Sequence, residues 1–265
     1  MQSKRMFKYV AALSIAALAF TACGGGEGEE AGGTAEGEAV IHAHGTEPQN
    51  PLIPTNTNEV GGGHIVDQIF AGLVSYNTDG STELEVAESI ESEDNLTWTI
   101  TLKDGWTFSD GSPVTANSFV DAWNYGADPE NAQLSAYFFN PIEGTDQEGN
   151  STEGDTLSGL EVIDDLTFEV TLKEPAADFP DRLGYSAYFP LPEVAFEDME
   201  AFGEKPISNG PYVLEEWNHD VEAVLSKNLD YEGNRTPEND GLVFKFYTDP
   251  DAAYTDIQSG VLDIT

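Results

Sequence analysis

The sequence predicts an α/β fold, and three observations carry that prediction. From Thr97 to Leu102, threonines alternate with Trp98, Ile100 and Leu102, the period-two pattern of a strand with one buried face. Ile65, Val66, Ile69 and Phe70 fall at helical spacing, as do Phe119, Val120 and Trp123. The chain is 39% hydrophobic, with 14 Phe, 10 Tyr and 4 Trp. Spread over the ~225 residues that follow a polar start, that is enough to bury a sizeable core.

Taken in order, Val40–His44 reads as a strand, and Glu47–Gly63, rich in Pro, Asn, Thr and Gly, as a loop. A helix is predicted over His64–Leu73, then strands near Leu84–Ile90 and Leu96–Lys103. Thr115 is a natural N-cap for a helix through Tyr125 that buries Phe119, Val120 and Trp123. A second helical stretch is expected over Pro129–Phe139. Leu160–Ile163 and Leu166–Lys173 flank Asp164-Asp165 and read as a hairpin, and Pro211–Trp217 with Val221–Lys227 as another. Leu242–Thr248 is a strand, after which Asp249-Pro250 starts a helix through about Ser259, with proline in the first turn. LTWTITLKDG at Leu96 and LTFEVTLKEP at Leu166 echo one another. The echo is too short and isolated for a repeat architecture and marks two sheet strands.

The first residues set the compartment. Lys4, Arg5 and Lys8 precede an apolar run, Tyr9–Phe20, about half the ~20 residues that span a bilayer. This is the layout of a secretory leader, expected over residues 1–22. Phe20-Thr21-Ala22-Cys23 resembles a lipoprotein cleavage box, with Phe20 where Leu, Val or Ile is usual. In such a box Cys23 becomes the lipidated N-terminus and anchors the chain to the extracytoplasmic face of the cell membrane. The alternative is a plain leader with a leftover thiol. Cys23 is the only cysteine, which excludes an intrachain disulfide. Residues 23–39 then read as a flexible tether, since Gly24–Glu38 has five glutamates and no apolar side chain larger than Ala.

Charge bounds the partners. There are 49 acidic side chains against 10 basic ones, a formal net charge of −39, and losing a leader that holds three of the bases makes the mature surface more negative still. Such a chain repels phosphate backbones, so no nucleic-acid partner is expected. The charge reads chiefly as a solvated surface, and secondarily as a field that steers cationic peptides. No G-x-S-x-G, H-E-x-x-H, P-loop or dinucleotide-binding pattern occurs, and acidic pairs within Glu88–Asp94 or at Asp164-Asp165 arise by sheer number. No enzyme activity and no cofactor are expected. His42 and His44 share one strand face, with His64 downstream, but metal sites need three or four convergent ligands. Ordinary strand histidines and no metal are the expectation.

Between Phe70 and Phe119 lies an ordered motif set: FAGLV (Phe70–Val74), DGS (Asp79–Ser81), AES (Ala87–Ser89), LTWTITLKDG (Leu96–Gly105) and TFSDGSPVTANSF (Thr107–Phe119). Together these resemble family 5 of the bacterial extracellular solute-binding proteins, the peptide- and oligopeptide-binding subunits of ABC importers. The likeness runs from about Val40 to Thr265. It implies a periplasmic-binding-protein-like class II two-lobe fold, with an accessory domain inserted into lobe one at about residues 75–160. The family's second lobe follows a segment like Ala253–Asp263, so residues 40–265 are expected to hold lobe one and the accessory domain, the N-terminal portion of the family domain, without the second lobe. The implied function is capture of a peptide ligand outside the membrane and delivery to permease subunits, with ATP hydrolysed by other subunits. Alternatives are another solute of the same family, such as nickel or a sugar, and an unrelated exported enzyme.

The resemblance also implies candidate contacts. In the family, peptide main chain pairs with the loop before the FAGLV helix, here Thr55–Gly63, with Asn58, Glu59 and Val60 as the contacting residues. The alternative is a surface loop whose glycines supply turn geometry. Tyr137 is a second cleft candidate, or else a core aromatic beside Phe138 and Phe139. Ser208–Tyr212, containing Asn209 and Gly210, matches a family segment T-N-G-x-Y, and reads either as ligand-contacting or as a tight turn into a strand near the cleft wall.

The leader reading yields a direct test. Cys23→Ser is expected to release the protein from membranes into the medium, and the wild type to incorporate a radiolabelled fatty acid that the variant does not. A wild-type protein without label contradicts the anchor.

Overall fold

The computed structural model describes residues 39–265; the leader, Cys23 and the tether lie outside the described residues. Along the chain come β1 (Val40–Gly45), α1 (Val60–Ile69), β2 (Val74–Tyr76), β3 (Thr82–Leu84), β4 (Ala87–Glu91), β5 (Thr97–Leu102), α2 (Ala116–Ala127), β6 (Leu160–Asp164) and β7 (Thr167–Thr171). There follow two short helices, α3 (Phe179–Arg182) and α4 (Met199–Glu204), then β8 (Tyr212–Asn218), β9 (Glu222–Lys227), β10 (Gly241–Phe246) and α5 (Pro250–Ser259). The class is mixed α/β, as the two periodicities predict.

Two four-stranded sheets organise these elements. One has the order β1-β10-β9-β8, with β1 and β10 parallel and the β8–β9 hairpin antiparallel. Helix α1 packs against it near β8. On its other side β1 meets the segment at Ile264, which bridges Ala43 in parallel and accepts the His44 N–H at 2.8 Å. The other sheet is wholly antiparallel, in the order β4-β5-β7-β6. The two echoing strands are neighbours in it, with Trp98 opposite Val170 and Ile100 opposite Phe168. Matching threonine faces and matching apolar faces thus fall on the same sides, which is how cross-strand pairs stabilise a sheet.

Helix α2 covers the apolar face of the antiparallel sheet. Thr115 caps it reciprocally with Ser118, whose hydroxyl accepts the Thr115 N–H at 3.1 Å. Trp123 is the centre of this core. Its ring lies 5.2 Å from Tyr188, 5.6 Å from Phe168, 6.4 Å from Phe139 and 6.5 Å from Phe119, and its indole N–H donates to the Tyr188 carbonyl at 3.0 Å. Edge-on contacts dominate, the arrangement the ring quadrupole favours. The Tyr188 hydroxyl in turn donates to the Phe138 carbonyl, and burial pushes that phenol far up.

Three element boundaries differ from expectation, each for a tertiary reason. Helix α1 begins at Val60 and takes in Gly61–Gly63, which read as loop because glycine is a poor helix former. The Glu59 side chain caps it by accepting the Gly62 N–H at 2.9 Å. Gly61 is needed there because a Cβ would fall 2.4 Å from the Thr46 carbonyl oxygen. The helix stops at Ile69, short of the expected Leu73, because Phe70 and Ala71 turn extended toward other partners. The strand expected over Leu84–Ile90 is divided at Glu85-Val86, where the backbone N–H groups turn instead to the carbonyls of Leu73 and Gly72. Pro129–Phe139 forms two 3-10 turns, Pro129–Asn131 and Ala136–Phe139, separated by Ala132 in the left-handed region at φ 49°. Asp128 and Asn131 side chains bond to nearby backbone there, drawing it away from a helical ladder.

A charged clip closes the sheet end beside α4. His219, in the β8–β9 turn, contacts Glu47 through Nδ1 at 2.9 Å and Glu204 through Nε2 at 3.0 Å, with the Trp217 ring 4.3 Å away. The Asp220 N–H adds a bond to Glu47 at 2.8 Å. Only an imidazolium donates from both nitrogens. The two carboxylates hold His219 above the ordinary imidazole value. A raised folded-state pKa means that this stabilisation is full below the unfolded pKa and fades as pH rises through the folded one. His219→Ala is therefore expected to lower the melting temperature at about pH 5.5 and to have a smaller effect at about pH 8.5, read by circular dichroism.

Candidate functional site

A cleft of about 540 Å³ opens where the N-terminal end of α1 faces β2 and the segment 184–189. Its walls follow from local chemistry. The α1 cap leaves Asn58 exposed and, among the described residues, without a partner for its backbone N–H or C=O, while Val60 is 69% exposed. Opposite stand Tyr76 and Tyr185, 50% and 39% exposed. The Tyr76 hydroxyl donates to the Asp181 carbonyl at 2.8 Å, which fixes the ring at the cleft mouth. Burial pushes the Tyr76 phenol up, aided by Asp181 and Asp67. Tyr185 is likewise pushed up by burial, then by Tyr137 and Asp67.

A second hollow, about 650 Å³, shares Tyr76 and Tyr185 with the first. Here Tyr137, Phe138 and Tyr185 form a stack, with ring centroids 4.6 Å and then 4.0 Å apart. Tyr137 is 54% exposed, so it is a surface aromatic at the hollow and not part of the core that Phe139 enters.

Behind the cleft lies a buried ionic group. Glu85 is 1% exposed and receives Arg235 Nε at 3.0 Å and the Tyr231 hydroxyl. The remaining guanidinium nitrogens donate to the carbonyls of Asp67 at 2.6 Å and Phe70 at 2.7 Å, the last groups of α1. Burial and then Glu85 push the Tyr231 phenol far up. A guanidinium at a helix C-terminus satisfies orphan carbonyls and opposes the negative end of the dipole.

The structure brings Asn58, Glu59 and Val60 together in the first cleft and Tyr137 into the adjoining hollow. It places Asn209 and Gly210 elsewhere, buried beneath the end of α1. Asn209 accepts the Ala71 N–H and donates to the Ala71 carbonyl, both at 3.0 Å, as a strand partner would. The Gly210 N–H donates to the Ile69 carbonyl at 2.7 Å, and a Cβ there would fall 2.5 Å from the same group. Sequence reasoning missed Asp67, Tyr76, Glu85, Tyr185 and Arg235. No local signal singles them out: Glu85 alternates with Leu84 and Val86 just as the exposed Glu83 does. The histidines do not converge: His64 stacks on Phe244, the register partner of Ala43, while His42 and His44 alternate with Ala43 and point to the other face. Among the described residues no group of three or more His, Cys, Asp and Glu is placed to hold a metal, and no helix is long and apolar enough to cross a membrane.

Comparison with known proteins bears on the fold and the family. The family described as bacterial extracellular solute-binding proteins, family 5, matches residues 82–265. The oligopeptide-binding protein OppA of Bacillus subtilis is 31% identical over 86% of this chain and 43% of its own length. The periplasmic oligopeptide-binding protein OppA of Escherichia coli is 34% identical over 76% of this chain and 38% of its own. Among solved structures, the Haemophilus influenzae OppA complex with RPPGFSPFR superposes with a TM-score of 0.79 at 27% identity, covering 85% of this chain and 45% of that one. The unliganded open form of the murein tripeptide-binding protein MppA gives 0.80 at 26%, with the same coverage. The chain spans less than half the length of these relatives.

The placement of Asn209 generates a prediction. Asn209→Ala leaves the buried N–H and C=O of Ala71 without partners, and the expected loss of stability is roughly 2–4 kcal/mol in chemical denaturation. A loss below about 0.5 kcal/mol contradicts the structural role.

Proposed function

Because the chain belongs to family 5 of the bacterial extracellular solute-binding proteins, we propose that it captures peptides for an ABC importer. In this reading a lipid on Cys23 holds it outside the cell membrane, and it delivers its ligand to permease subunits whose partner ATPases supply the energy. We further propose that the antiparallel sheet with α2 is the accessory portion, reaching Thr171 and so beyond the expected limit of about residue 160, and that the mixed sheet with α1 belongs to lobe one.

The observation that carries the reading is the pairing of two kinds of contact in one open cleft. Asn58, next to the extended cap residue Glu59, has main-chain groups without partners among the described residues, and Val60, Tyr76 and Tyr185 offer apolar and aromatic surface around it. Extended peptides are recognised in this way, with backbone bonds giving affinity and side-chain pockets giving selection. In a two-lobed binder the ligand is covered from the other side when a hinge closes. Residues 39–265 supply one wall, open to water.

One wall alone implies weak binding. For the 265-residue chain with Cys23→Ser, titrated with a pool of tri- to pentapeptides and read by nuclear magnetic resonance, the expected dissociation constant is roughly millimolar, about −4 kcal/mol. The perturbed amides are expected around Asn58, Val60, Tyr76 and Tyr185. A micromolar constant contradicts the one-wall argument, and the absence of any shift contradicts peptide binding.

A further inference from the structure

The cleft contains a carboxylate that the fold does not use. Asp67 is in the last turn of α1, where the helix dipole is already negative and another negative charge is unfavourable. Its main-chain carbonyl is engaged by Arg235, but among the described residues its carboxylate enters no ion pair. Arg235 pulls on it without a direct contact, because that guanidinium is committed to Glu85 and to two helix carbonyls. Along the cleft, Glu59, Asp67 and Glu85 stand against this single guanidinium, with His64 the other titratable neighbour. Tyr76 and Tyr185 line the same cleft, half exposed, and both phenols respond to the charge of Asp67. A carboxylate beside aromatic rings is the chemistry that receives a cation, by charge and by the negative face of the π-system.

We infer that Asp67, with Tyr76 and Tyr185, forms a cation-receiving subsite, and that the preferred ligands are peptides that place an ammonium or guanidinium group there. The inference rests on the peptide-binding reading and adds a selectivity to it. Partial desolvation by the cleft walls pushes the Asp67 carboxyl up, against the opposing pull of Arg235 and His64, while the side chain stays open to solvent and so within reach of a ligand cation. The cation has two possible sources, a lysine or arginine side chain and the peptide's own terminal amine. Both meet Asp67 by the same interaction.

The test is a titration of the Cys23→Ser chain by nuclear magnetic resonance, which reads affinities into the millimolar range. The probes are Ala-Lys-Ala and Ala-norleucine-Ala, each with a free and an acetylated N-terminus. The wild type is expected to favour a charged probe over its neutral counterpart by about tenfold. Loss of affinity on replacing lysine by norleucine assigns the subsite to a side chain; loss on acetylation assigns it to the terminal amine. Asp67→Asn is expected to abolish the preference and to change binding of the acetylated norleucine peptide by less than about twofold, and Asp67→Glu to restore part of the preference. Tyr185→Leu keeps the carboxylate and is expected to weaken the preference several-fold. Equal affinity for all four peptides, or a preference that survives Asp67→Asn, overturns the subsite and leaves peptide binding standing. No binding of any probe overturns both.

Discussion

The buried pair of Glu85 and Arg235 is the interaction on which the candidate site depends. One carboxylate on the strand side and one guanidinium from the loop after β9 join segments 150 residues apart. Removing either partner alone leaves an uncompensated buried charge, the costly kind of disruption. The geometry does more than neutralise. Because Arg235 also holds the carbonyls of Asp67 and Phe70, the pair fixes the end of α1, and with it the direction in which the chain leaves for β2. Asn209 and Gly210 complete that fixation from below, gripping Ala71 and Ile69. The cleft wall that holds Tyr76 is therefore positioned by an ion pair at the back of the cleft and by Asn209 and Gly210 buried beneath it.

The aromatic core gives the opposite wall its rigidity. Trp123 and Tyr188 interlock by an edge contact and by the indole bond to the Tyr188 carbonyl. Tyr188 then bonds the Phe138 carbonyl, and Phe138 is the middle ring of the exposed stack that presents Tyr137 and Tyr185. A continuous chain of packed rings thus runs from the core of the antiparallel sheet to the surface at the hollow. Exposed aromatics cost little conformational entropy when their neighbours already hold them, and that makes them effective contact groups.

Much of this fold is legible in the sequence where local chemistry and tertiary structure agree. β5 and β7 follow from strict alternation, α2 from the Thr115 cap, and α5 from Asp249-Pro250 with Gly260 at its left-handed end. Legibility fails where a distant contact overrides a local preference. Gly61 stands inside a helix because the Thr46 carbonyl leaves no room for a side chain there, which no window around the glycines reveals. The site divides in the same way. Asn58–Val60 and Tyr137 are reached through the motif set around them, whereas Arg235 acquires its meaning only when the loop after β9 folds back on α1.

The use of cations elsewhere in the chain sharpens the charge argument. With 10 basic residues against 49 acidic ones, the bases are placed with economy. Lys103 reaches the Leu84 and Glu85 carbonyls, Lys173 the Asp146 carbonyl, Lys227 the Pro237 carbonyl and Arg235 the end of α1. Arg182 is held by Asp178 at 2.8 Å. These cations serve main-chain acceptors or a local partner, and few are left to balance the surface. The outer field is then broadly negative but reaches only about 8 Å at physiological ionic strength, so it gathers cationic ligands without choosing among them. Choice requires a charge at close range with shaped surface beside it. Asp67, open to the cleft that Tyr76 and Tyr185 also line and without an ion pair among the described residues, is where we infer that the general negative field becomes a specific contact.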